Sequence, residues 1–222
     1  MEVKEIDFAV IPQKALNILT NPADFFKTMH KTGGFLEPLI FALIMGIVAG
    51  ILQAIISVVG LSYYSGGLMD SLGMIIIVPV AVIVGTFIGA AIMLVIWKLL
   101  GSPENYEVSY RCVAYLMVLA PIAAVLGLIP YAGAILNTAL GLIFIVVASI
   151  YAHNIPAKKA WLVFGIIFAV ILLLQLRAEY KARNFAQSTD EVRKKMEELN
   201  KQYKQQLERQ LEEARREAER YR

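Results

Sequence analysis

The feature that most constrains this chain is a nearly unbroken apolar block from residue 35 to residue 176, bounded by polar, charged segments at 1–34 and 177–222. A run of about 18 or more uncharged apolar residues is long enough to cross the hydrocarbon of a bilayer as a helix. This block is several such runs joined by short polar turns. The 222-residue chain is 58% hydrophobic, where soluble globular chains lie at about 45–50%. The pattern predicts an all-α, polytopic transmembrane helix bundle. It also divides the chain into an amphipathic N-terminal segment at 1–34, a membrane domain at 35–176 and a charged helical tail at 177–222.

Five spans are predicted. Span one covers about 36–60 and contains Gly46-x-x-x-Gly50; span two covers about 74–98, contains Gly85-x-x-x-Gly89 and ends at Trp97-Lys98. Small residues four apart let helix backbones approach closely, so the two glycine faces predict that these spans pack together. Pro79 marks where a clean helix begins in span two. The loop between them holds Tyr63 and Tyr64, which suit the aromatic belt at a membrane surface, and a single charge, Asp70. Span three covers about 108–129, with Arg111 near its start and Pro121 ten residues on, roughly 15 Å deeper at 1.5 Å per residue. Pro121 has no N–H for the carbonyl of Met117 and predicts a kink. Pro130-Tyr131-Ala132-Gly133 is too short to leave the interface, so span four, about 133–152, returns as a hairpin. Span five follows Ile155-Pro156-Ala157-Lys158-Lys159 and covers about 160–176.

Five spans place the two ends on opposite sides of the membrane. Lys4, Lys14, Lys27, Lys31, Lys98, Arg111, Lys158 and Lys159 share one side, while loops 61–71 and 130–132 hold no lysine or arginine. The positive-inside rule makes that side cytoplasmic in a cell membrane and the tail extracytoplasmic. Arg177, Lys181 and Arg183 pull the other way. Residues 1–34 show no apolar h-region, so span one is expected to act as its own insertion signal.

Both ends read as helices. Asn21-Pro22, with Asp24 in the first turn, starts a helix whose Phe25, Phe26 and Met29 share a face. It is expected to lie in the membrane interface, with a small cap on the bundle as the alternative. Phe25, Phe26, Trp97, Arg111, Lys158 and Lys159 are the expected interfacial anchors. In the tail, Ser188-Thr189-Asp190-Glu191 reads as a capping box. An apolar stripe follows from Val192 to Tyr221, at an average spacing of about 3.6 residues. That fits either a solitary helix or self-association as a short coiled coil.

Little in the sequence points to chemistry. His30, His153 and Cys112 make no metal-ligand spacing, and no nucleophile elbow or phosphate loop occurs. The middle of every span is free of Asp, Glu, Lys and Arg, which argues against a proton-coupled transporter and an intramembrane protease. Neither catalytic residues, nor a cofactor, nor a metal site is expected. The net charge of +3 is too weak to argue for nucleic acid. Gln53, Ser57, Thr86, Asn137 and Thr138 are expected to bond between helices. A helix kinked at Pro121 can also line a cavity with Tyr115, Asn137 and Thr138.

Tyr110-Arg111-Cys112-Val113-Ala114-Tyr115, then Ala120-Pro121, Ile129-Pro130 and Gly133 resemble the Yip-domain family, small five-span membrane proteins named for interaction with Rab-type GTPases. Asn21-Pro22-x-x-Phe25-Phe26 resembles its prokaryotic branch. The resemblance covers about residues 18–176 and lacks the Asp-Leu-Tyr-Gly-Pro motif of the eukaryotic trafficking members. It implies a five-helix bundle with a cytoplasmic N-terminus and a role in membrane organisation, and it supplies no catalytic residues. The expected function is a non-enzymatic scaffold or adaptor that meets the lipid bilayer and protein partners. The alternatives are a passive channel or carrier for a small or lipophilic solute, and an accessory subunit of a larger complex.

Overall fold

A computed structural model describes residues 9–59 and 68–220. The first loop's Tyr63 and Tyr64 lie outside the described residues. Every described element is an α-helix: α1 Val10–Thr20, α2 Pro22–Thr28, α3 Leu36–Val58, α4 Leu68–Leu99, α5 Tyr106–Leu116, α6 Leu119–Leu126, α7 Ala132–Tyr151 and α8 Ala157–Arg220. The chain divides into two compact units, Met1–Arg177 and Ala178–Arg222.

Four segments are long and apolar enough to cross a bilayer: Leu36–Val58, Ile75–Leu99, Ala132–Tyr151 and Ala157–Phe185, the last of which begins in the first unit and ends in the second. The pair α5–α6, bent by 40°, is the candidate for a fifth. Its course follows from its neighbours. Arg111 of α5 meets Glu37 at the start of α3. Ser149 near the end of α7 meets Trp97 near the end of α4. Those contacts put the start of α5 and the end of α7 at one end of the bundle. Gly133, at the other end of α7, lies against Leu126 of α6. The α5–α6 pair therefore runs from one end of the bundle to the other, the course of a candidate fifth span.

The break falls before the proline. Met117 and Val118 interrupt the helix, and the carbonyl of Met117 that Pro121 leaves free accepts instead from the N–H of Ala120 at 2.9 Å. A tighter local bond meets the demand that every backbone group be satisfied within the membrane. At the next corner Gly133 has to be glycine, because a Cβ there would overlap the carbonyl of Leu126. Tyr131, at φ 57°, carries the reversal.

Three expectations change. Helix α4 does not begin at Pro79 but at Leu68, and Pro79 sits inside it. Its bulk is accommodated where α3 offers Gly46, whose added Cβ would come within 3.3 Å of Pro79 Cα and 3.1 Å of Val82 Cγ2. Spans one and two pack together as expected, through Gly46, but the two glycine faces do not meet each other. Gly85 is exposed with open space around it, and Gly89 faces Val113 of α5, 3.5 Å from where its Cβ would be. Gly50 is buried on α3. The capping box at Ser188–Glu191 starts no helix, since Ser188 and Thr189 donate their hydroxyls back to the carbonyls of Asn184 and Phe185, at 3.0 and 2.9 Å. Those hydroxyls bond within a helix already running from Ala157.

The segments α1–α2 fit the alternative reading, a cap on the bundle. They dock against α5 and the rest of the bundle. Ile18 and Phe26 are fully buried, and Phe25 stacks edge-on against Tyr115 of α5 at 5.1 Å. Burying a side chain of this size contributes about 1.5–3 kcal/mol, and here protein supplies the apolar environment. The outer faces of α4 and α8, with Ile76, Ile88, Leu162 and Leu173 exposed, meet the lipid bilayer instead.

Candidate functional site

The densest polar arrangement is a clasp where the cap, the start of α3 and the start of α5 meet. The side chain of Asn105 accepts from the N–H of Val108 at 3.2 Å and caps α5. That cap sets the register. Glu107 falls in the first turn and Arg111 one turn later on the same face, as i, i+4 neighbours. Together they grip one glycine. Arg111 Nη2 donates to the carbonyl of Gly34 at 3.0 Å, and the N–H of Gly34 donates to Glu107 Oε1 at 2.6 Å. The grip needs the backbone close: Gly33 has φ +116°, and a Cβ on it would lie 3.0 Å from Arg111 Nη2.

Glu37, the second residue of α3, completes the clasp. It pairs with Lys14 of α1, lies 3.6 Å from Arg111 Nη1, and accepts from the Tyr115 hydroxyl at 3.1 Å. Lys31 pairs with Glu104 at 2.7 Å beside this group. Three bases and three acids make the set formally neutral. The Arg111 side chain is only 3% exposed, and a buried guanidinium is tolerated because carboxylates and a carbonyl surround it. The arrangement fastens the N-terminal segment to two spans, and its charges are already committed to one another.

A second cluster joins the ends of α4 and α7. Trp97 Nε1 donates to Ser149 Oγ at 2.8 Å, and Ser149 Oγ donates to the carbonyl of Ile145 at 2.6 Å. The ring of His153 stacks on Trp97 at 3.8 Å and shares a 2.9 Å hydrogen bond with Ser102 through Nδ1. Burial, and after it the charges of Lys31 and Lys98, push the ordinary His153 pKa of 6.5 down to about 3. The imidazole is therefore neutral and structural.

Several expected anchors have other partners. Phe25 and Phe26 are buried in the cap, Trp97 is buried against Ser149 and His153, and Arg111 is buried in the clasp. Protein covers each of the four. Lys158 and Lys159 are exposed. The residues named for a cavity bond to different partners. Tyr115 bonds Glu37, Asn137 Nδ2 donates to the carbonyl of Ala123 at 3.3 Å, and Thr138 Oγ1 donates to Gln175 of α8 at 3.1 Å. Among the described residues, no group of three or more His, Cys, Asp or Glu side chains is placed to hold a metal ion.

Sequence reasoning passed over Glu37, Glu107, Ser149 and Gln175. The Glu107-x-x-x-Arg111 spacing after a capping Asn105 was available as a signal. So was Glu37, a lone charge just inside an apolar block. Ser149 and Gln175 gave none, since their importance depends on which helix lies beside them.

The family model of the Yip1 domain matches residues 16–177. The chain belongs to the Yip1 domain family. The match runs from within α1 to Arg177, the residue at which the first compact unit ends. In this Yip1-domain protein the basic residue and the aromatic that mark the start of span three, Arg111 and Tyr115, are both members of the clasp. None of the curated proteins and none of the solved structures matches the chain.

Proposed function

We propose that this Yip1-domain membrane protein is a non-enzymatic scaffold, in which the capped bundle is the membrane platform and the tail recruits protein partners. One observation carries the reading. One apolar face of the cap is used inside the first unit, with Ile18 and Phe26 fully buried, while the tail's apolar stripe is not, with Leu199 58% exposed. An amphipathic helix with an uncovered apolar face is a docking element. The neutral, internally paired clasp supports a platform better than a reaction centre. In this reading the cap lies on the cytoplasmic side of a cell membrane and the tail outside it. Five crossings and the lysines gathered at the cap end support that orientation.

The test is cross-linking and co-purification of the full chain beside a chain ending at Arg177, each extracted from intact membranes. We expect the shorter chain to stay folded and to lose the partners. Identical partner sets from both chains would overturn the adaptor role. Protease cleavage of a tag after Arg222 from outside sealed, right-side-out vesicles checks the orientation; protection would put the tail on the cytoplasmic side.

A further inference from the structure

The tail carries one uncovered surface whose geometry and charge restrict what can sit on it. Val192, Met196, Leu199, Tyr203, Leu207 and Leu211 are 46–68% exposed. Met196 and Leu207 stand eleven residues apart. An eleven-residue repeat closes in three turns at about 3.67 residues per turn, so the stripe stays on one face of a nearly straight helix. A bilayer surface is a poor occupant. Helices that lie in the interface carry a surplus of Lys and Arg on the polar face, whereas Ala178–Arg222 holds twelve Lys and Arg against ten Asp and Glu. A near-neutral helix with a narrow apolar stripe fits another helix of the same kind.

The edges of the stripe distinguish the two possible directions. Lys204 and Glu208, at i, i+4, lie along one edge, and Gln202 and Gln206, also at i, i+4, lie along the other. In an antiparallel pair with Tyr203 of one copy opposite Leu207 of its partner, Leu199 falls opposite Leu211. Like edges then meet, so Lys204 of each copy runs beside Glu208 of the other. A parallel, in-register pair sets that edge against the uncharged glutamines. It also places Lys195 between Glu197 and Arg193 of the other copy, one attraction offset by one repulsion. We infer that the tail docks on the tail of a second copy of this chain, antiparallel and centred on Tyr203 and Leu207. The pair attaches its two bundles at opposite ends of the joined helices, because the two Ala178 ends point apart. This inference rests on the adaptor reading and names the partner.

Single-cysteine variants of the full chain test it, with Cys112 left in place because it is buried in α5. Disulfide-linked dimers between a Tyr203→Cys copy and a Leu207→Cys copy, which stand opposite each other in this register, should form about tenfold faster than between two Met196→Cys copies, where an antiparallel partner presents a distant part of its helix. Lys204→Glu should weaken the dimer about tenfold, and Lys204→Glu with Glu208→Lys should restore it. Faster cross-linking between two Met196→Cys copies than between the mixed copies would mean a parallel pair and overturn the inference. No cross-linking at any position, with other proteins still captured by the tail, would overturn self-pairing and leave the adaptor reading standing. No cross-linking together with no tail-dependent capture would remove both.

Discussion

The cap and the tail look alike as sequences and differ as structures. Each is a polar, helix-forming end with apolar residues gathered on one face. In the cap, Ile18 and Phe26 are fully buried and Met29 nearly so. In the tail, Leu199 and Tyr203 stay 58% and 68% exposed. What separates the two is a partner within reach. The cap precedes α3 by a short Gly33-Gly34 corner, and the clasp fixes that corner to α5 at both backbone groups of Gly34. Once the corner is held, docking the cap orders few further residues for the apolar area it removes from water, and ordering entropy is what a contact must overcome. Amphipathicity thus shows that a face needs covering without showing what covers it.

The contrast can be broken by mutation, and the largest effect belongs to the cap. Phe26→Ala should cost about 3–5 kcal/mol in thermal unfolding of the detergent-solubilised protein, as for other buried aromatics cut to alanine. A loss near zero would mean that the cap is not seated on the bundle. Arg111→Met should cost about 3 kcal/mol, because Glu37 and Glu107 lose their shared cation. The same variant should make the Gly33-Gly34 corner open to limited proteolysis, and an unchanged digestion pattern would remove the clasp from this account.

A pH series probes the bundle on which the cap sits, because the first unit carries a buried histidine and the tail holds no histidine at all. The unfolded chain takes up a proton on His153 near its ordinary pKa of 6.5, and the folded chain only near 3. Between those values the unfolded state binds more protons, so stability should fall as pH drops through this window and level off below it. Above about pH 6.5 both states are neutral and the slope vanishes. His153→Gln should flatten the melting temperature across the window, measured against wild type in the same detergent. The smallest effect belongs to the tail: Leu199→Ala should change the stability of the first unit by less than about 0.5 kcal/mol, since the side chain is exposed on a separate compact unit.

Much of the membrane domain was legible in the sequence. The spans at Leu36–Val58 and Ala132–Tyr151 fall within a residue or two of their expected limits, because a run of apolar residues bounded by polar turns leaves a bilayer helix few alternatives. The short Pro130 corner likewise required a hairpin. The candidate site was less legible. Arg111 and Tyr115 stood out, but as a headgroup anchor and a cavity residue, and their partner Glu37 lies 74 and 78 positions away in sequence. Trp97 looked like a belt residue until Ser149 was found beside its indole nitrogen.

By itself the sequence determined that this chain crosses a membrane several times, where most of the crossings begin and end, that its two ends are helical, and that it matches the Yip1 domain. Those properties follow from local composition and from the demand of lipid that each backbone group be bonded within its own segment. Only the tertiary structure decided that Phe25 and Phe26 face protein, that Arg111 binds a glycine backbone, that Gly46 receives Val82 while Gly85 receives nothing, and that the helix continues through Ser188. Each of those depends on which side chain stands opposite. Opposition is set by packing between segments distant in sequence, where the same aromatic or arginine satisfies lipid and protein equally well until a neighbour is in place.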